Sequence, residues 1–416
     1  MSRSRISRRT LIISIVLLIL LAGAAYLLQR SKSGKEVVYS PILGIAGAEE
    51  IAQGSLGPKY LTPSELRELH LRRDLGQVKY LKRLDRERWA VACERGIDCI
   101  PGIEPQFQSV LEADKWLGDG DLVLSVQLDQ TVKAYPLRIL AWHQAVNDYL
   151  GDLPVIVTYC PFTGAGLAYE RPLADGRPLE FGVSGRLYNA NILLYDRETG
   201  SLWQQFTGEV IAGPLLGVAG RMERIYGDIV SWGSWKRWHP GGEVLARPTE
   251  IRFGRRKVQV SVERYEEAPY AEYQLREWVG YGVDVKELNL RGLFSKRRIV
   301  GVIVDETARA YSRSDLKSLK LVNDRLGGEP ILALMTPAGE ARFFSRKVPG
   351  QVLEFALDDG KLIDKETGTV WGFDGKALSG PLALEGAPLK EYLPTPAYWF
   401  AWVLFHPQSD LSCGDG

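Results

Sequence analysis

The sequence predicts a mainly β protein, a β-rich α+β fold built from two homologous halves related by internal duplication in a pseudo-twofold arrangement, with short helices. Three observations carry that expectation. From Leu122 onward, short runs rich in β-branched and aromatic residues are punctuated by turn residues at strand-length intervals. Eleven Trp and 18 Tyr against three Met suit stiff sheet packing, while 43 Gly and 22 Pro supply turns. Third, the chain matches itself at an offset of 176 residues.

That offset places Asp129 on Asp305, Ala134-Tyr135 on Ala310-Tyr311, Asn147-Asp148 on Asn323-Asp324 and Pro161 on Pro337 without a gap. After a few deletions, Glu198-Thr199-Gly200 meets Glu366-Thr367-Gly368, Trp203 meets Trp371, Gly213-Pro214-Leu215 meets Gly380-Pro381-Leu382, and His239-Pro240 meets His406-Pro407. Ordered identities over so long a unit indicate duplication rather than a solenoid.

The elements follow in order. Four arginines precede an apolar run from Leu11 to Leu28, which reads as a membrane anchor with its C-terminal side outside the cytoplasm. Ala22-Gly23-Ala24 resembles a cleavage site, so a secreted form after signal removal is the alternative. The organisation expected is an anchor or signal segment at 1–32, a tether at 33–60 and a helical or extended lead-in at 61–120. A first half follows at 121–241, a connecting strand and crossover loop at 242–296, a second half at 297–408 and a tail at 409–416. Leu122–Leu128 and Thr131–Pro136 form a hairpin around Asp129-Gln130. Arg138–Leu150 has helical spacing, which sets His143 and Asn147 four positions apart on one flank. Pro154–Tyr159 is a strand that runs into Cys160-Pro161.

Charge excludes some functions. The 52 basic and 51 acidic side chains leave a net charge of +1, so no nucleic-acid partner is expected. There is no Gly-rich phosphate loop, no His-Glu-x-x-His and no Gly-x-Ser-x-Gly, which removes nucleotide hydrolases, zincins and α/β-hydrolases. The four cysteines, Cys93, Cys99, Cys160 and Cys413, form no Cys-x-x-Cys pair, which argues against dithiol redox chemistry. Their pairing is open; Cys93 and Cys99 could close a short loop in an oxidising compartment.

What the first half alone possesses defines the candidate site. His143 aligns with Leu319 and Cys160 with Thr336, and the segment around Ser184, Arg186, Tyr188 and Asn189 is largely deleted in the second half. Three chemistries fit. Cys160 and His143, joined by His239, would make a soft ligand set for copper or zinc. Cys160 could instead act as a nucleophile in acyl transfer with His143 as base and Asn147 or Asp148 orienting it. Alternatively, Ser184, Tyr188, Asn189, Asp196 and Arg197, beside Trp203, would line a cleft for a polar small molecule, a glycan or a loop of a protein partner.

The segments Val157-Thr-Tyr-Cys-Pro-Phe-Thr-Gly164, Phe181-Gly-Val-Ser-Gly-Arg-Leu-Tyr-Asn189 and Tyr195-Asp-Arg-Glu-Thr199 resemble a bacterial family catalogued as domain of unknown function 3179. The resemblance takes in Ala134-Tyr-Pro-Leu137, His143, Asn147-Asp148 and Gly213-Pro-Leu215, and spans most of residues 95–410. It implies a secreted or membrane-tethered protein and no particular activity. Sequences resembling this one carry Cys-Pro-x-Cys or Cys-Pro-x-Thr at the turn; Thr163 occupies that position here, so no second thiol is available.

Overall fold

A computed structural model describes residues 100–412, apart from 175–176, 214, 217–218, 254–255, 280–282, 284, 385 and 387. The expected membrane segment, the tether, most of the lead-in, Cys93, Cys99 and Cys413 lie outside the described residues. No helix among the described residues is long and apolar enough to cross a membrane.

Strand β1 (Phe107–Ser109) precedes the first hairpin, β2 (Leu122–Leu128) and β3 (Thr131–Pro136), whose turn holds Asp129 at φ 50°. Helix α1 then covers only Leu137–His143. Gln144 takes a left-handed conformation at φ 60° and its N–H donates to the Leu140 carbonyl, closing the helix. The helical expectation for Arg138–Leu150 is therefore corrected at its C-terminal half. Residues Ala145–Leu150 form β4, paired with β5 (Leu153–Cys160) across Gly151 at φ 59°. A turn residue followed by an antiparallel partner outweighs the helical spacing. His143 and Asn147 consequently lie on different elements.

Further strands are β6 (Ala165–Glu170), β7 (Phe181–Tyr188), β8 (Asn191–Asp196), β9 (Leu202–Gln204), β10 (Val210–Ala212) and β11 (Arg224–Ser231). Helix α2 (Trp232–Trp238) and β12 (Glu243–Leu245) close this region. The main sheet has eight strands in the order β1-β12-β3-β2-β11-β6-β5-β4, with β12 parallel to β3 and the other pairings antiparallel. A smaller meander, β10-β9-β8-β7, stands beside β4.

From Arg298 the element order recurs: β13 (Arg298–Val304), β14 (Thr307–Ser312), α3 (Arg313–Leu319), β15 (Leu321–Leu326), β16 (Glu329–Met335) and β17 (Ala341–Ser345). The meander β18 (Phe355–Asp358), β19 (Lys361–Asp364), β20 (Val370–Trp371) and β21 (Ala377–Ser379) follows, then β22 (Glu391–Tyr392), β23 (Thr395–Tyr398), α4 (Trp399–Phe405) and β24 (Asp410–Ser412). Hydrogen bonds recur with the order. Tyr135 and Lys133 hold Asp148 at 2.5 and 3.0 Å, and Tyr311 and Arg309 hold Asp324 at 2.5 and 2.7 Å. Asn147 exchanges two bonds with the Phe181 backbone, as Asn323 does with Phe355. The indole N–H of Trp203 donates to Asp196 at 2.8 Å and that of Trp371 to Asp364 at 2.9 Å.

The two regions meet through buried polar contacts. Arg313 forms a fork-to-fork pair with fully buried Asp228, both distances 2.8 Å, and Asp228 also accepts from the Ala341 N–H. The segment between them is more than a crossover loop. Its hairpin, Glu250–Phe253 with Arg256–Gln259, and its short helices bring Tyr265, Tyr270 and Tyr273 into the core of the first region.

Candidate functional site

Cys160 ends β5, and Pro161–Gly164 turn the chain into β6. Gly164 sits at φ 64°, where a Cβ would stand 2.9 Å from the ring of Tyr398, so both backbone and space require glycine. The thiol is wholly buried, and it donates to the Ala190 carbonyl at 3.9 Å, a weak contact. Burial pushes the Cys160 thiol upward, outweighing hydrogen bonds from Thr163 and from the backbone of Phe162 and Ile192 that act in the opposite sense. Beside it the Asn191 amide donates to Thr163 Oγ1 at 2.9 Å and to Gln205 Oε1 at 2.6 Å, while Gln205 donates to Thr158 Oγ1 at 2.9 Å. All four are fully buried. The β7–β8 hairpin reaches this turn because it is longer than the corresponding β18–β19 hairpin, and Asn189 and Ala190 close it at φ 50° and 57°.

His143 belongs to a different environment. Its Nδ1 lies 2.8 Å from the Pro101 carbonyl, which can only accept, so this nitrogen carries the proton. Nε2 then accepts from the Tyr265 hydroxyl at 2.9 Å. Burial holds the imidazole's pKa down at about 4, with the Pro101 bond pulling weakly the other way. A neutral ring with both nitrogens committed has no lone pair left for a metal and no free site for a proton from Cys160. No hydrogen bond joins His143 to Cys160, and their partners are disjoint.

The Cys160, His143 and His239 metal set expected for copper or zinc is not brought together. His239 caps α2, packs on Trp235 and faces Glu340 at 3.2 Å. Among the described residues no group of three or more His, Cys, Asp or Glu side chains is disposed to hold a metal ion. Of the residues expected for acyl transfer, Asn147 is taken up by Phe181 and Asp148 by Tyr135 and Lys133, while His143 is engaged by Pro101 and Tyr265.

The five expected ligand residues also separate. Ser184 donates to the Leu193 carbonyl inside the β7–β8 hairpin. Tyr188 packs edge-on to Phe405, and Asn189 is a turn residue. Asp196 is sealed by Trp203 and Thr199. Arg197, by contrast, lines a cavity.

That cavity is a cleft of about 510 Å³ between β4, β7 and the chain at 100–105. His143 and Phe181 lie in its wall, and Tyr149, Arg171, Arg177, Arg197, Arg252, Glu104, Glu180 and Glu198 bring its polar groups. Tyr149 is 48 % exposed and rests over the buried Arg171 guanidinium at 5.2 Å. The corresponding position after Asn323-Asp324 is Arg325. Tyr149, Arg171, Glu180 and Arg252 were missed as site residues because no local motif marks them. The one available signal was the replacement of the Tyr149 aromatic by Arg325 at the matching position of the later region.

Fold and site thus define a β-rich protein with a polar cleft of small-molecule size and a sealed imidazole in its wall. The chain belongs to the family described as protein of unknown function (DUF3179), whose model matches residues 97–409, as the Cys-Pro-Phe-Thr-Gly turn and its companion motifs predicted. No curated protein and no solved structure matches the chain.

Proposed function

We propose that this protein is a ligand-binding module of the cell envelope that holds a saccharide in the cleft beneath Tyr149. The observation that carries the reading is the cleft itself. Its 510 Å³ falls within the roughly 300–1,000 Å³ typical of small-molecule sites. An exposed tyrosine at its edge, backed by a guanidinium, offers a ring face against which a sugar can stack, and the Arg and Glu side chains offer hydrogen bonds to hydroxyls. Binding without chemistry is favoured over catalysis or metal chemistry, because Cys160 is inaccessible and the His143 ring is fully engaged.

The module sits outside the cytoplasm, tethered through Leu11–Leu28; the basic residues ahead of that run support this orientation. A phosphatase reporter fused after residue 60 should be active only if the polypeptide there has crossed the membrane, and an inactive fusion would reject the placement. We also propose that 121–241 and 297–408 descend from one duplicated unit, with the second half bracing the first. The recurring Asp148/Asp324, Asn147/Asn323 and Trp203/Trp371 interactions support common descent.

Saturation-transfer NMR against a panel of plant and bacterial oligosaccharides tests the binding reading. Transfer to at least one oligosaccharide is expected, lost in Tyr149→Ala with the fold intact by circular dichroism. A panel without transfer, or transfer indifferent to Tyr149, rejects the cleft as a saccharide site.

A further inference from the structure

The hydrogen-bonding capacity left unused in the cleft is unequal in sign. Each carboxylate is already engaged: Glu104 by Arg252, Glu180 by Arg197 at 3.3 Å, and Glu198 by the Glu180 N–H at 3.0 and 3.1 Å. Two of the guanidinium groups keep an unused donor. Nε of Arg171 and Nε of Arg252 are both buried without an acceptor. With His143 neutral, the lining carries four arginines against three glutamates.

The second region supplies an internal control for Arg171. Arg346 follows β17 as Arg171 follows β6, and each donates its backbone N–H to a proline carbonyl, Pro330 and Pro154, at 2.9 Å. Arg346 engages all three of its guanidinium nitrogens, with Nε on Ile331 O at 3.1 Å, Nη1 on Leu353 O at 2.7 Å and Nη2 on Asp324 O at 3.2 Å. Arg171 makes the two Nη bonds at 3.3 Å each, to Leu179 O and Asp148 O, and lacks the third. The same side chain in the same local frame is thus complete where it serves the scaffold and incomplete where it lines the cleft. A buried donor without a partner carries a desolvation penalty that an incoming acceptor removes.

We propose, building on the saccharide reading, that the ligand carries an acidic group, and that Arg171 and Arg252 receive it with Arg177 at the rim. A planar fork pairs with a carboxylate or phosphate through two donors, which neutral hydroxyls cannot match. A uronic-acid unit fits this demand: its ring lies against Tyr149 and its carboxylate meets the guanidinium donors.

Calorimetric titration with an oligogalacturonide, its methyl ester and a phosphorylated oligosaccharide of similar length tests the proposal. Acidic probes should bind at least tenfold more tightly than the ester, and Arg252→Gln, at a partly exposed position, should reduce that ratio to within threefold. Arg177→Gln provides a second, surface variant that does not disturb the core and should lower the ratio in the same direction. A tighter phosphate probe would identify the acidic group as phosphate; a tighter uronide, as carboxylate. Equal binding of acid and ester overturns the acidic-ligand proposal and leaves the saccharide reading standing. Folded protein that binds none of the probes overturns both.

Discussion

His143 and Cys160 look alike in sequence, each present in the first half alone, yet burial acts on them through different neighbours. His143 has a folded pKa of about 4 against an ordinary value of 6.5, so the unfolded chain takes up the proton first. The stability this contributes is complete above pH 6.5 and lost as pH falls toward 4, by about 3 kcal/mol. Urea unfolding between pH 7 and 4.5 should show this loss, and His143→Gln should flatten it. Nitrogen NMR should find a neutral Nδ1–H ring at pH 5.5; an imidazolium there would contradict the sealed geometry.

Cys160 yields a second expectation at the same scale. Its buried, upward-shifted thiol should resist alkylation at pH 8 in a variant where Cys93, Cys99 and Cys413 are serine, reacting only as fast as the protein opens. Rapid labelling under native conditions would restore the nucleophile reading. Copper or zinc that co-purifies with wild type and disappears in Cys160→Ser would restore the metal reading.

Among elements, the corners of the two meanders are the most revealing. Gly213 at φ 98° would place a Cβ 2.6 Å from Ser201 Cα, and Gly380 at φ 105° would place one 2.8 Å from Thr369 Cα. In each case the hydroxyl of that Ser or Thr also accepts the backbone N–H of the residue two beyond the glycine, Leu215 or Leu382. Gly213→Ala and Gly380→Ala should therefore each lower stability by more than about 2 kcal/mol, read as paired shifts in thermal midpoint. A large cost at one corner and none at the other would argue against a shared scaffold and hence against duplication. The hairpins differ where the corners agree: β7–β8 extends to the Cys160 turn and supplies Asn191 to its polar cluster, whereas β18–β19 stops short.

For the whole molecule, the contact between the regions combines an apolar cluster, in which Ala165, Ala190 and Phe206 pack with Trp399 and Trp402, with buried polar pairs. Asp228 is fully buried and paired with Arg313, and burial raises the cost of leaving either one alone. Arg313→Ala should destabilise the protein by about 3–5 kcal/mol, whereas the double change Asp228→Asn with Arg313→Gln should recover part of that loss. Chemical denaturation of the three proteins checks this; a single variant that unfolds like wild type would show that the pair does not hold the regions together. Glu340 adds to the contact. Although burial alone would raise its pKa, hydrogen bonding to His239 and the charge of Arg342 keep its carboxyl below the usual range, with Ser125 also donating to it.

Sequence alone determined the first hairpin, its turn and the family, because a two-residue period broken by Gly, Asn or Asp is a local signal. The first hairpin falls where Leu122–Leu128 and Thr131–Pro136 predicted it. It misplaced Asn147 because nothing local announces that Gln144 turns left-handed, a choice made by the pairing of β4 with β5. Tertiary structure alone decided the site. Its lining comes from 100–105, 143–149, Arg171, 177–183, 197–198 and Arg252, segments that no spacing rule connects. The structure also separated Cys160 from His143, seventeen positions apart in the chain, because the β4–β5 hairpin between them carries Cys160 into the Asn191 cluster while His143 stays with Pro101 and Tyr265. Local pattern fixes which backbone groups pair; which side chains share a cavity depends on how the paired strands pack.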